Sequence, residues 1–281
     1  MREPGRGLGA VANAGGDGQD AGGMLAAVRA EWIKLRTVSS AGWLLLACAV
    51  VTITVSSAVV AVEKCSSASC AVDATKVSLS GVQVGQAAVA ILAVMVIGGE
   101  YATGMIRVTL AAVPVRSVML AVKAAAVAVV TAAAGIIAVL GSLLAGRIFL
   151  PGNGFTVAHG FVPLSPGNGP TLRAAVGSVL YLVLVALLSL GVATAVRDTA
   201  VAVAIVLGLM YVLPAVSGIV LDPTWQHRIQ RVAPMNAGLA IQSTTNLSKL
   251  PIGPWAGIGV LAAWTAAALL AGWLLLQLRD A

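Results

Sequence analysis

Few side chains in this sequence could do chemistry, and most of them lie outside its long apolar stretches. The histidines, His159 and His227, fall in proline-containing connections, where they could not complete an intramembrane serine–histidine site. No HExxH pattern occurs, which excludes the common zinc proteases, and the three cysteines have no metal-ligand spacing. No Gly-Lys pair occurs, so there is no Walker A loop for ATP. We therefore expect no enzyme, and no cofactor or metal bound by this chain itself.

The elements that must position the remaining polar residues are transmembrane helices. Hydrophobic residues make up 59% of the 281-residue chain and charged residues only 10%, against about 25% charged in an average soluble domain. A helix needs about 20 mainly apolar residues to cross a bilayer. The sequence predicts an all-α integral membrane protein with six spans and no charge in any span core. The predicted spans cover about 42–62, 78–99, 122–145, 174–196, 199–220 and 255–277.

Two further segments are predicted to be non-spanning. The interval 148–172 is uncharged but holds four prolines, and proline interrupts a helix interior, so we expect a loop. Residues 1–23 are rich in glycine and have no apolar core for a signal peptide. We interpret 1–23 as a flexible tail and 24–281 as the transmembrane domain, with Met24 as a hypothetical translation start.

The distribution of cations predicts the orientation. If the N-terminus is cytoplasmic, ten of the 17 Lys and Arg residues lie inside, including those just before span one. Cytoplasmic loops carry an excess of such cations, so we expect a multi-pass plasma-membrane protein with both termini in the cytoplasm. The excess of cations behind the net charge of +7 is then accounted for by the membrane orientation of the chain. We therefore expect no nucleic-acid partner.

The segment Met24–Arg36 precedes span one, and its apolar residues fall on one helical face. It predicts an amphipathic helix lying in the membrane interface. Such a helix could bind anionic lipid alone, or it could also touch a cytoplasmic partner. Its proposed interfacial residues are Arg29, Trp32, Lys34 and Arg36.

The connection Gly98–Lys123 joins spans two and three on the predicted cytoplasmic side. Glu100 follows span two, and Gly104 permits a tight turn. The short apolar stretch Met105–Val113 then ends at Pro114. A short apolar helix outside the membrane needs a surface to bury against, which could be lipid or a groove on a partner protein.

This connection resembles the corresponding loop of type-2 ABC-transporter permeases. The matching residues are Glu100, Gly104, Pro114, Arg116 and Lys123, although Met105 stands where that family usually has Thr. The resemblance extends to the amphipathic EWIKLRT stretch (31–37), to the six spans, and to WQHRIQRVAPMNAGLAI (225–241) before span six. It therefore covers most of the chain.

The resemblance implies that the loop forms a coupling helix that contacts a separate ATPase subunit, which would bind ATP and Mg²⁺. The implied contact residues are Glu100, Gly104, Met105, Ile106, Arg107 and Val108. The resemblance also implies that Glu100 pins the end of span two, whereas the alternative is a solvated charge at a helix end. Arg107 could instead contact lipid phosphates. A homodimer or a pair with a sister permease is also implied. The remaining alternatives are an ATPase-independent carrier or channel, and a membrane anchor or immunity component that transports nothing.

The roles of two residue pairs, one of glutamines and one of cysteines, are left open by the sequence. Gln83 and Gln86 stand at positions i and i+3 of span two and are expected to share a face. They could line a substrate pathway or hydrogen-bond a neighbouring helix. Cys65 and Cys70 lie in the predicted outer loop after span one, where an oxidising compartment would permit a disulfide.

Overall fold

The fold is taken from a computed structural model. It describes residues 39–65, 72–106, 108, 115–156, 161, 164, 167–219 and 222–278. Several sequence predictions fall outside these residues and remain predictions. They are the tail 1–23, Met24, the interfacial residues Arg29, Trp32, Lys34 and Arg36, and the residues Arg107 and Cys70.

The described residues form helices and turns, with no strand among them. The helices are α1 (Ser39–Val62), α2 (Ala74–Ser78), α3 (Val82–Ala102), α4 (Arg116–Phe149), α5 (Gly169–Val196), α6 (Thr199–Leu207), α7 (Leu213–Ile219), α8 (Pro223–Val232), α9 (Pro234–Leu239) and α10 (Pro254–Leu278). Within the described part of the chain, six helices are long and apolar enough to cross a membrane. Spans one to six are α1, α3, α4, α5, α6 with α7, and α10. The prediction of an all-α, multi-pass membrane protein is confirmed.

The spans reach further than the apolar stretches that predicted them. Span two continues through Glu100, and span three begins at Arg116 and passes through Lys123. Span three has 34 residues, which at about 1.5 Å per residue exceeds the roughly 30 Å of a hydrocarbon core. Glu100 and Lys123 are both buried and lie within these helices, so each helix is longer than its charge-free part.

Span four also starts earlier than predicted, at Gly169 rather than near residue 174. Pro170 lies in its first turn, where the missing N–H of proline would have no helical partner in any case. The prediction treated this proline as part of the loop. The rest of 148–172 includes a single 3-10 turn, Pro151–Asn153, among its described residues.

Span five contains a wide turn. Residues Gly208–Val212 form a π-helical turn between α6 and α7. Pro214 follows two residues after Val212, and a proline ring clashes with the carbonyl four residues before it in a regular α-helix. The wider turn loosens the backbone at that point, so the helix continues through Pro214 to Ile219.

Span four lies at the centre of the bundle and packs against spans two, three, five and six. It packs tightly against span six at Gly191 and Gly272, where an added methyl group on either residue would collide with the backbone of the other helix. Small residues allow transmembrane helices to approach in this way. The crossing therefore depends on glycine at both positions.

The segment between spans five and six folds back into the bundle. Helix α8 is followed by Ala233, and Pro234 then starts α9, whose Met235 and Ala237 are buried. The structure shows one short helix that ends just before Ala233 and a second that begins at Pro234. We call the two ends of the bundle the Glu100 end and the Asp73 end, after one residue at each; α8 lies at the Asp73 end.

Candidate functional site

The centre of the Glu100 end is a buried ion pair between spans two and three. The Nζ atom of Lys123 lies 2.7 Å from Oε1 of Glu100, and the two side chains are 0% and 3% exposed. Removing either partner would take away the opposite charge that the other contacts in this buried site, which is strongly unfavourable. The pair therefore fixes the last turn of span two against the beginning of span three.

The chain leaves span two through a capped turn. The Thr103 hydroxyl donates to the Gly99 carbonyl at 2.8 Å, and the Gly104 amide donates to the Tyr101 carbonyl at 3.2 Å. Gly104 has a φ of +70°, a conformation that glycine adopts readily and that commonly ends helices. The predicted role of Gly104 in a tight turn is confirmed in this respect.

The residues after this turn divide into a supporting and an exposed set. Ile106 is 4% exposed and packs with Met119 and Leu276, whereas Met105 and Val108 are 48% and 67% exposed. Glu100 is only 2% exposed. Glu100 and Ile106 are thus covered by this chain's own residues, which corrects their assignment to a partner-contact surface and excludes a solvated Glu100.

Two arginines hold the end of span six against this site. Arg116, at the start of span three, donates through Nη1 to the Leu276 carbonyl. Arg197, after span four, donates to the Leu275 carbonyl at 3.4 Å and stacks over the Tyr101 ring. The last carbonyls of a helix have no partner within it and favour cations. The ends of spans two, three, four and six are consequently joined.

Sequence reasoning missed most of these connections. The predicted spans two and three stop close to Glu100 and Lys123, and hydropathy does not indicate that these two residues are partners. The signal that could have found them is a pair of opposite charges within about two turns of the facing ends of consecutive antiparallel helices. Arg116 and Arg197 had no comparable signal, because their acceptors are backbone carbonyls.

The two glutamines of span two have different environments. The Gln86 side chain is fully buried, accepts from the Tyr181 hydroxyl, and donates to Met235 Sδ at 3.1 Å and to the Gln83 carbonyl at 3.0 Å. The Gln83 side chain is exposed, although its carbonyl also accepts from the Tyr211 hydroxyl at 2.7 Å. The i and i+3 spacing still makes the two residues neighbours on span two, but only Gln86 is covered by other helices. Gln86 joins neighbouring helices, and a pathway role for Gln83 remains a prediction.

The Asp73 end is held by hydrogen bonds that the Asp73 carboxylate accepts from backbone amides and from one hydroxyl. Asp73 caps α2 through the Lys76 amide and accepts from the Thr244 hydroxyl at 2.7 Å and the Thr245 amide at 3.0 Å. Cys65 is buried and disulfide-bonded. Its predicted partner, Cys70, lies outside the described residues, so that pairing remains a prediction.

At the Glu100 end, contacts among spans two, three, four and six lie next to the exposed residues Met105 and Val108. This end offers no metal centre, since no cluster of His, Cys, Asp or Glu in the described part of the chain could hold an ion. In comparisons with known proteins, no protein-family model and no curated protein matches this chain.

Proposed function

We propose that this chain is the membrane-spanning permease subunit of a type-2 ABC transporter. In this proposal it exports a substrate across the plasma membrane, with both termini in the cytoplasm. It pairs with a second copy or a sister permease, and separate ATPase subunits bind ATP and Mg²⁺ and supply the energy. The proposal rests on the resemblance in the 31–37, 98–123 and 225–241 segments and on the six-span fold.

The observation that supports the proposal most directly is the way the turn after span two is anchored. Glu100 and Lys123 close its base with a buried ion pair, and Ile106 packs beneath it. Met105 and Val108 project from it with about half or more of their surface exposed. A rigid base with an exposed apolar tip suits a contact that must both bind a partner and transmit its movement.

The test is to purify the full chain from its native membranes in mild detergent and to measure the ATP hydrolysis that accompanies it. We expect a co-purifying protein with Walker A and Walker B motifs and vanadate-sensitive activity. Met105→Glu and Val108→Glu should each reduce the amount of this ATPase by about tenfold or more, because an unpaired carboxylate would be buried at an apolar contact.

The matched control is Val62→Glu. Val62 is 75% exposed but lies at the Asp73 end, so this substitution should leave the ATPase bound. Purification of a correctly folded chain with no ATPase in any nucleotide state would contradict the proposal. That result would favour a carrier or channel that works without an ATPase.

A further inference from the structure

Helix α8 has an exposed half on which two kinds of side chain lie next to each other. Trp225 is 57% exposed and Val232 is 55% exposed, although both are large and apolar. Arg228 and Arg231 are exposed as well. The residues that face the protein are half-buried, and they are Gln226, Ile229 and Gln230.

The exposed side chains of α8 change from apolar to cationic around the helix axis. At about 100° per residue, Trp225 and Val232 lie nearly above one another, and Arg228 lies about 60° from Trp225. Arg231 and His227 follow further round, on the side away from the apolar pair. The exposed half of the helix therefore passes from apolar through Arg228 to polar and cationic.

Specific contacts fix this surface in place. The guanidinium of Arg228 stacks over the Trp225 ring at 5.3 Å, and Arg231 Nε donates to the Pro251 carbonyl at 2.7 Å. The Trp264 indole of span six donates to the Val232 carbonyl at 3.0 Å. Helix α8 is thus attached to the bundle at its C-terminal end, and Arg228 lies directly beside the exposed ring.

We propose that α8 is a docking site for the headgroups of anionic phospholipids at the Asp73 end of the bundle. The graded surface matches the depth profile of a membrane interface, where indole rings lie at the headgroup boundary and cations lie at the phosphates. A guanidinium stacked on a ring keeps its edge free to donate to phosphate oxygens. Trp225 and Val232 enter the boundary, and Arg228 and Arg231 bind the phosphate.

The charge of α8 agrees with this partner. The sequence PTWQHRIQRV contains no acidic residue, and the preceding Asp222 uses its carboxylate to accept from the Thr224 amide at 2.8 Å. Near an anionic membrane each cation contributes about fivefold to binding. This inference is independent of the proposed transport function, because it requires only that the chain spans a membrane.

The experiment uses the full chain reconstituted in vesicles and measures quenching of tryptophan fluorescence by bromine on the lipid acyl chains. The signal of Trp225 is the difference between the wild type and Trp225→Phe, so the other tryptophans cancel. Vesicles contain either brominated phosphatidylglycerol in unlabelled phosphatidylcholine, or brominated phosphatidylcholine in unlabelled phosphatidylglycerol, at equal brominated fractions.

We expect brominated phosphatidylglycerol to quench Trp225 more strongly than brominated phosphatidylcholine. Arg228→Gln and Arg231→Gln should each reduce that preference by about fivefold, and Arg228→Lys should retain part of it. Arg147→Gln is the control, because Arg147 is an exposed arginine near the same end of the bundle but outside α8. Inorganic phosphate added to detergent-solubilised protein should leave the emission of Trp225 unchanged.

Equal quenching by the two lipids would overturn the proposal, because α8 would then be held by its apolar residues alone. Absence of quenching by either lipid would also overturn it, because Trp225 would then lie away from the bilayer and be available to another protein. Each variant is assessed only after its elution as a single species in detergent, so loss of folding is not mistaken for loss of lipid preference.

Discussion

Lys123 and Glu100 form a 2.7 Å ion pair that joins spans two and three, with both side chains almost completely excluded from solvent. The partners are 23 residues apart in the chain and lie on opposite sides of the connection that carries Met105 and Val108. The connection between spans two and three is therefore flanked on both sides by one buried contact.

The first prediction concerns the stability that depends on this pair. Lys123→Met removes the cation that contacts the buried Glu100 carboxylate, and breaking a buried pair in this way costs about 3–5 kcal/mol. We expect a lower midpoint of thermal unfolding in detergent. The double variant Glu100→Leu/Lys123→Met should recover most of the loss, because a well-packed apolar pair often replaces a buried ion pair at little cost.

Lys76→Met serves as the control for this measurement, since Lys76 is exposed at the Asp73 end and substitutions of exposed residues usually change stability by about 0.5 kcal/mol or less. If Lys123→Met were as stable as Lys76→Met, the ion pair would not hold the two spans together in the folded protein.

The second prediction depends on the proposed function and concerns Arg107, which lies outside the described residues. Arg107→Glu reverses the charge next to the exposed residues Met105 and Val108, and should reduce the co-purifying ATPase by about tenfold or more if Arg107 faces an acidic surface. Arg147→Glu, at the opposite end of the bundle, should have no such effect. Unchanged ATPase recovery with Arg107→Glu would indicate that Arg107 contacts lipid rather than a partner.

The third prediction tests the crossing of spans four and six. A methyl group on Gly272 would meet the backbone oxygen of Gly191, whereas one on Gly259 in the same span would meet nothing within 4 Å. Gly272→Ala should therefore destabilise the protein by about 1–3 kcal/mol through overpacking. Gly259→Ala should stabilise it by up to about 1 kcal/mol through helix propensity. The measurement is thermal unfolding of the two variants in detergent. If Gly272→Ala were as stable as Gly259→Ala, the two spans would cross less closely than described.

The fourth prediction compares two tyrosines that differ in burial. Tyr181→Phe removes the donor to Gln86 Oε1 in the fully buried core, and an unsatisfied buried acceptor costs about 1–3 kcal/mol. Tyr211→Phe removes a donor to the Gln83 carbonyl, which keeps its bond from Gln86. It should cost less, about 1 kcal/mol or below. Equal losses would show that Gln86 does not depend on Tyr181.

The existence and order of the six spans could be predicted from the sequence, because a bilayer demands long apolar helices whatever their packing. The ends of those helices could not be predicted in the same way. Span three extends to Arg116 because Lys123 has a countercharge and Arg116 has acceptors on span six, and both partners come from distant parts of the chain. Hydropathy along one segment contains no information about such partners.

Only part of the candidate site could be predicted from the sequence, because the rest depends on partners from distant parts of the chain. The tight turn at Gly104 depends on local backbone chemistry and could be predicted. The burial of Ile106 depends on Met119 and Leu276, which lie on other helices and become neighbours only in the folded bundle. The different environments of Gln83 and Gln86 likewise follow from where Tyr181 and Met235 lie, and not from their spacing in span two.

The burial of the Glu100–Lys123 pair also implies that the two ends of this protein respond differently to ionic strength. Added salt screens the interactions of charges that face water, with a screening length of roughly 10 Å at 0.1 M that shortens as salt increases. Buried pairs are screened far less. The attraction of Arg228 and Arg231 to an anionic membrane should therefore weaken as salt is added, while the attachment of span two to span three persists. In a salt titration α8 would release its lipids while the Glu100 end keeps its structure.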